Sequence, residues 1–361
     1  MSDLSRREFV ATSVAVAVSS MLPASALAMG QPGGQERRVV DAWGHVSLPR
    51  FFGADDFIQI LDSNQAEAAV VGTAMTCPDL TELSHAIMKY PDRLRPIGLA
   101  LGKTPEERLA FISAQLDAGF TGIRLPAPLI AKEPAILDLV GKYGRAAYVE
   151  GTDGYQVATR VLLNFMDKYP EAVACGTHFA GPTDTAIFGK DDLVRQLFRH
   201  PRFFVIFSRQ GFQNQEILKP WTFALVEEAG WNKVMYGSEF PVALWRDETF
   251  KSTQGWIDTV GLNPTVEERH KFYYQNAHDL FFQKRVPTHQ IDAQWERMDM
   301  KSIAPVWLFQ LQGIESHRGI DLPEDAHRKI MVSYLAAGGD AKAGSYRDFV
   351  TKMLINTANK L

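Results

Sequence analysis

The feature that most constrains this chain is an alternation. From Arg38 onward, eight short apolar runs alternate with eight longer amphipathic ones. The short runs are Arg38–Ala42, Glu67–Thr73, Leu94–Leu101, Phe120–Pro126, Arg145–Glu150, Val173–Phe179, Arg202–Ser208 and Lys233–Ser238. They are rich in Val, Ile, Phe and Leu, and most lack strict polar/apolar alternation, as strands buried on both faces of a parallel sheet do. The amphipathic segments centre on Phe57–Leu61, Leu80–Met88, Pro105–Leu116, Glu133–Val140, Gln156–Tyr169, Asp191–Phe198, Glu216–Glu228 and Glu248–Val260. Thr104-Pro105-Glu106-Glu107 reads as a helix start: a capping hydroxyl, proline at the first position and acids at the positive dipole end. Eight strand–helix units in succession predict a closed (β/α)8 TIM barrel over residues 38–283. An open doubly wound sheet is the weaker alternative, because no glycine-rich phosphate turn follows the first run.

The flanking segments read differently. Ser5-Arg6-Arg7-Glu8-Phe9-Val10, an apolar stretch to Leu22 and the small-x-small site Ala26-Leu27-Ala28 make residues 1–28 a twin-arginine-type signal peptide. This predicts export by the twin-arginine machinery to the periplasm, with cleavage rather than a retained membrane anchor, since the apolar run is short. Residues 284–361 contain no strand pattern and read as a helical C-terminal extension packed on the barrel. It is placed to cover the barrel bottom, shape an active-site rim or make a homo-oligomer contact. A net charge of −4 without a long basic run gives no footprint for nucleic acid. Cys77 and Cys175 both lie in apolar, strand-like surroundings and read as buried thiols rather than a disulfide.

In such a barrel, functional side chains sit at the C-terminal ends of the strands. The polar residues at the expected ends are Asp41 and His45, Arg124, Glu150, His178, Ser208 and Arg209, and Glu239. Two histidines, two glutamates and two arginines on one rim can bind a divalent ion, or activate water and hold an anion. Asp41 and Ser208 are expected to bond locally, with no Ser-His-Asp arrangement around Ser208. An ion pair of Glu239 with Arg124 is the structural alternative to a role in catalysis, and Glu150 is open between a functional role and partnering an arginine.

Val40-Asp41-Ala42-Trp43-Gly44-His45, Gly122-Ile123-Arg124-Leu125, Cys175-Gly176-Thr177-His178-Phe179-Ala180-Gly181-Pro182, Tyr236-Gly237-Ser238-Glu239-Phe240-Pro241 and Gln275-Asn276-Ala277 together resemble the amidohydrolase-related family in order and spacing. The resemblance implies a hydrolase on a TIM barrel. The chain departs from the pattern at three points: Trp43 stands where the family carries a first strand-one histidine, Glu150 where it carries a strand-five histidine, and Glu239 where it carries an aspartate. Two sites remain open. One holds a single Zn²⁺ or Mn²⁺ between His45, Glu150, His178 and Glu239. The other is metal-free, as the resemblance to lactonases of the 2-pyrone-4,6-dicarboxylate type implies: Glu239 is the base on water, with its pKa expected to be raised by burial. His45 and His178 then donate to the oxyanion, Arg124 and the less certain Arg209 clamp a substrate carboxylate, and Trp43 forms a wall or plug of the pocket. The leading expectation is hydrolysis of a small carboxylate-bearing lactone, ester or amide. The alternatives are a metal-dependent decarboxylase of an aromatic acid and a degenerate barrel that binds a ligand without turnover. Specificity is expected from loops such as Gly181–Lys190 and Gly211–Gln215.

Overall fold

A computed structural model describes residues 38–46, 51–73, 75, 78, 80–150, 155–246 and 248–291. The signal segment, Cys77 and the extension beyond residue 291 lie outside the described residues. The eight strands are β1 Val39–His45, β2 Ala66–Gly72, β3 Leu94–Leu99, β4 Gly122–Pro126, β5 Ala146–Glu150, β6 Val173–Gly176, β7 Phe203–Phe207 and β8 Val234–Tyr236. They pair in sequence order, each parallel to the next. Every strand is followed by at least one helix, which makes the nearly closed TIM barrel that the alternation predicts.

Each apolar strand must bury two faces, and two separate cores result. Outward residues such as Ile123, Leu125, Val149, Val205, Phe207 and Tyr236 pack under the helices. Inward residues Val40, Ala42, Ala68, Val70, Ile97, Ala146, Tyr148, Cys175, Ile206 and Met235 fill the interior. Three aromatic rings run through that interior. Trp43 lies 5.3 Å from Tyr148, and Tyr148 lies 5.7 Å from Phe281 of the helix Asn276–Phe281. The barrel is therefore a packed core rather than a pore, and chemistry is confined to its mouth.

The helices begin and end for local reasons. Thr104 caps the helix Pro105–Asp117 by a reciprocal capping box with Glu107. The expected helix over 248–260 is instead two short helices, Phe250–Gln254 and Trp256–Thr259, divided at Gly255. Residues 284–291 are irregular: the His289 N–H donates to the Ala118 carbonyl at 2.8 Å, and the Thr81 hydroxyl of the helix Leu80–Lys89 donates to the Ile291 carbonyl at 2.9 Å. No helix among the described residues is long and apolar enough to cross a membrane.

Candidate functional site

The period of two along a strand decides which strand-end side chains reach the mouth. In β4, Ile123 and Leu125 face outward, so Arg124 faces inward. In β5, Val149 faces outward and Glu150 inward. In β7, Ile206 faces inward, and Ser208 follows it at the same phase. After β6, β7 and β8 the backbone turns left-handed at non-glycine residues: His178 has φ 53°, Arg209 φ 68° and Glu239 φ 55°. His178 is followed by Phe179 and Ala180, also left-handed at φ 57° and 52°. Each such residue costs about 1 kcal/mol or more, and strain of this kind gathers at functional sites. Local bonds hold it in place. The Trp221 indole N–H donates to the Phe179 carbonyl at 2.8 Å, and the His178 backbone N–H donates to the Ser208 hydroxyl at 3.2 Å.

The turns bring His45, His178 and Glu239 together, with 1 %, 0 % and 2 % of their surfaces exposed. His178 stands between two carboxylates. Its Nδ1 lies 3.2 Å from Glu239 Oε2, and its Nε2 lies 3.6 Å from Glu150 Oε1. His45 Nε2 lies 3.6 Å from the other Glu239 oxygen, Oε1. Glu150 also forms an ion pair with Arg124. Arg124 therefore does not pair with Glu239, which was the structural alternative for that residue; the guanidinium serves Glu150 instead. Trp43 is fully buried below this set. Its ring meets His45 edge-on at 5.0 Å and lies 5.3 Å beneath the Arg124 guanidinium. Gly237 lets β7 and β8 close over it, since a Cβ there would lie 2.6 Å from Ile206 and 3.1 Å from both Trp43 and Ser208. Arg209 stacks its guanidinium over Phe212 at 5.0 Å. The loop that follows is tied down by the Gly211 N–H, which donates to Glu248 at 3.0 Å.

The charges follow from these neighbours. Burial pushes the Glu239 carboxyl up, but the charge of His178 and hydrogen bonding to His178 and His45 outweigh it and hold the group well below the usual carboxylate range. The expectation of a raised pKa is thus overturned: burial alone would raise it, but two imidazoles share the pocket. Burial lowers His178, and the Glu239 charge with hydrogen bonding to both carboxylates more than reverses this, so its pKa is raised. Burial lowers His45 further than Glu239 can raise it. Burial also works against ionisation of Glu150, but His178 and Arg124 bring it down to about 2. These directions favour the protonated form at His178, the neutral form at His45 and the carboxylate form at both glutamates.

Two residues have larger parts than sequence reasoning gave them. Ser208 Oγ lies 3.1 Å from His178 Nδ1, so it does not merely bond locally. Its oxygen also accepts from the His178 backbone N–H, and the Nδ1 it faces is shared with Glu239, so no Ser-His-Asp relay is formed around it. Asp41 is fully buried and bonds Ser238 as well as the backbone of Trp43. The signal for Ser208 was its inward phase after Ile206. No comparable signal marked the reach of Asp41 to β8.

The four candidate metal ligands do not converge on one point. Glu239 and Glu150 lie on opposite nitrogens of one imidazole, and Glu150 is held by Arg124. Among the described residues no group of three or more His, Cys, Asp or Glu side chains is arranged to hold a metal ion. Trp43 brings an indole N–H, which can only donate. As they stand, these residues do not fit a divalent ion. Several polar atoms here have at most ion-pair contacts of 3.2 to 3.6 Å and no hydrogen bond of good geometry: both ring nitrogens of His45, Nε2 of His178, Oε2 of Glu239 and the Nε atoms of Arg124 and Arg209.

A family model described as amidohydrolase matches residues 28–283. No curated protein matches the chain. Among solved structures, one similar protein is described as a probable 2-pyrone-4,6-dicarboxylic acid hydrolase of Acinetobacter baumannii, with citric acid bound. It is 17 % identical at a TM-score of 0.52, with 67 % of this chain and 98 % of that one covered. An amidohydrolase of Burkholderia multivorans with bound zinc is 13 % identical at a TM-score of 0.52, with 67 % and 98 % covered. The 5-carboxyvanillate decarboxylase of Sphingomonas paucimobilis is 12 % identical at a TM-score of 0.47, with 68 % and 98 % covered. At these identities the likeness is one of fold.

Proposed function

The chain belongs to the amidohydrolase family, and from that premise we propose that it hydrolyses a small carboxylate-bearing lactone, ester or amide, with Glu239 taking the proton of the attacking water. The class includes the compound for which the Acinetobacter neighbour is named. The observation that carries the reading is the buried contact of His178 with Glu239 at 3.2 Å, an acid and a base side by side at the barrel mouth.

The chemistry balances with these groups alone. As the water oxygen bonds to the carbonyl carbon, its proton passes to Glu239. The neutral His45 donates its unpartnered ring N–H to the developing oxyanion. When the C–O or C–N bond to the leaving group breaks, that group takes a proton from His178. The proton on Glu239 then returns to His178 over the short contact between them, and the site is restored. The low pKa of Glu239 fits this cycle, because it is caused largely by the charge on His178. As His178 gives up its proton, Glu239 becomes the stronger base, so the two titrate as one unit. Arg124 and Arg209 offer positive charge and free Nε–H groups for a substrate carboxylate.

The test is turnover by the full chain on a panel of carboxylate-bearing lactones, esters and amides, followed by proton release. Wild type turns over at least one member, and Glu239→Gln turns it over about 10³-fold more slowly. An inactive wild type across the panel, or an undiminished Glu239→Gln, overturns the reading. We also propose that this work is done in the periplasm, because Arg6-Arg7 and the apolar stretch behind them read as a twin-arginine signal. Retention of the Arg6→Lys/Arg7→Lys chain in the cytoplasmic fraction, with export of the unaltered chain, is the result expected.

A further inference from the structure

The barrel ring is weakest between β1 and β8. The ladder runs in order from β1 to β8, with no ladder pair joining the two ends among the described residues. The join is made by single bonds between the last residues of β1 and the residues that follow β8. The Glu239 N–H donates to the Trp43 carbonyl at 2.8 Å, and the His45 N–H donates to the Phe240 carbonyl at 2.9 Å. The residues proposed as base and oxyanion donor thus sit directly on the seam.

One side chain binds both edges. Asp41 Oδ1 accepts from the Trp43 N–H at 3.0 Å and from the Ser238 N–H at 2.8 Å. Its Oδ2 accepts from the Ser238 hydroxyl at 2.5 Å, and that hydroxyl oxygen accepts from the Phe240 N–H at 2.9 Å. Residues on either side of Glu239 are therefore fixed by one carboxylate, and between them Glu239 takes its left-handed conformation. Three donors converge, so the position needs a group that only accepts; an amide would present hydrogens to the Ser238 hydroxyl. Asp41 is fully buried, and among the described residues no cation pairs with it; burial pushes its carboxyl up to about 6 despite the hydrogen bonds. Such a group is costly to keep. Gly44 makes room for it, since a Cβ there would lie 3.0 Å from Asp41 Oδ2.

We propose that Asp41 is the positioning residue of the site, which sets the Glu239 carboxylate against His178 by holding Ser238 and Phe240 on either side of it. As a statement about catalysis this rests on the reading of Glu239 as the base; as a statement about geometry it does not.

The experiment is titration of the His178 imidazole by NMR in the full chain, with its resonance assigned from His178→Gln. In wild type the midpoint lies above the ordinary histidine value. In Asp41→Asn it falls toward that value by about one unit, because a displaced Glu239 no longer stabilises the imidazolium. Glu239→Gln lowers it at least as far, and Asp41→Asn/Glu239→Gln lowers it no further, since Asp41 acts through Glu239. If Asp41→Asn does not fold, Ser238→Ala, which removes only the hydroxyl between Asp41 and Phe240, carries the test with a smaller fall in the same direction. A lower melting temperature with an unmoved His178 midpoint means that Asp41 only closes the ring, and overturns the proposal. A further fall in the double variant overturns it too, since Asp41 would then act on His178 directly. Absence of turnover in a wild type whose His178 midpoint responds as described removes the hydrolase reading and leaves the positioning of Glu239 standing.

Discussion

The two glutamates that flank His178 are alike in residue type and in the direction of their pKa shift, and they differ in what holds them ionised. Glu150 is paired with a guanidinium, and its side chain keeps 15 % of its surface exposed. Glu239 is 3 % exposed at the side chain and is held by protons on imidazoles. His178 lowers Glu150 too, but an arginine does not give up its proton, so the Arg124 share of the charge that weakens Glu150 as a base is permanent. A histidine can, so the charge that weakens Glu239 is not permanent: once His178 has protonated the leaving group, it can take back the proton that Glu239 took from water. The outer half of the mouth is an anchor, and the inner half is a proton-transfer pair.

The largest test of that difference is the same substitution on both sides. Glu239→Gln should lower kcat by about 10³-fold, the scale of a lost general base. Glu150→Gln should lower kcat/KM only about tenfold, equivalent to about 1.4 kcal/mol, through a less well held His178 and Arg124. Steady-state kinetics on one substrate read both, and equal losses would erase the distinction.

The pH profile sharpens it. Activity requires Glu239 ionised and His178 protonated. The rate should fall on the acid side below the ordinary carboxylate range, where Glu239 finally protonates, and on the alkaline side above the ordinary histidine value, where His178 loses its proton. Glu150→Gln removes one of the two carboxylates that raise His178, and should move the alkaline limb down by about one pH unit. The acid limb belongs to Glu239 and should stay within a few tenths of a unit.

Stability offers a smaller effect on the outer side. The Glu150 carboxyl is lowered from 4.5 to about 2 on folding. A depressed carboxyl contributes stability that is fully present above its unfolded value and is lost as pH falls through its folded value. That window runs here from about 4.5 down to about 2, and the loss amounts to about 2 to 3 kcal/mol. Glu150→Gln should therefore lose less stability than wild type between pH 5 and pH 2 in urea unfolding. An unchanged acid dependence would mean that Arg124 does not hold Glu150 in solution.

How much of this the sequence carried depends on which physics decides each feature. The eight strands were legible because burial of both faces leaves an apolar run, and seven begin within one residue of the expected start; β4 begins two residues later, at Gly122 rather than Phe120. The ends were less legible. The runs Val173–Phe179, Arg202–Ser208 and Lys233–Ser238 all outlast their strands, because the chain turns left-handed near His178, Arg209 and Glu239, and hydrophobicity does not encode that turn. β1 errs the other way and continues to His45 past its expected end at Ala42, through an irregular register between Asp41 and Gly44. The meeting of His45, Glu150, His178 and Glu239 follows from strand ends sharing one rim. The pairing of Arg124 with Glu150, the downward shift of Glu239 and the reach of Asp41 to Ser238 depend on side-chain directions across the barrel, which no single stretch of sequence contains.

Trp43→Phe provides the smallest expected effect, at a residue that joins the two halves, since its ring touches His45 on one side and lies under Arg124 on the other. Its indole Nε1 is buried without a partner, which costs about 1 to 3 kcal/mol in the folded state. Trp43→Phe removes that orphaned donor and keeps an aromatic ring over Tyr148, but leaves a void where the second ring stood. The two terms oppose each other, so the net change in unfolding free energy should stay within about 1 kcal/mol. Trp43→Ala removes the whole ring and should cost about 3 to 5 kcal/mol. Urea unfolding of the two variants checks the plug directly. A Trp43→Ala chain as stable as Trp43→Phe would mean that the interior closes without the indole, and that the two halves of the mouth are not joined through it.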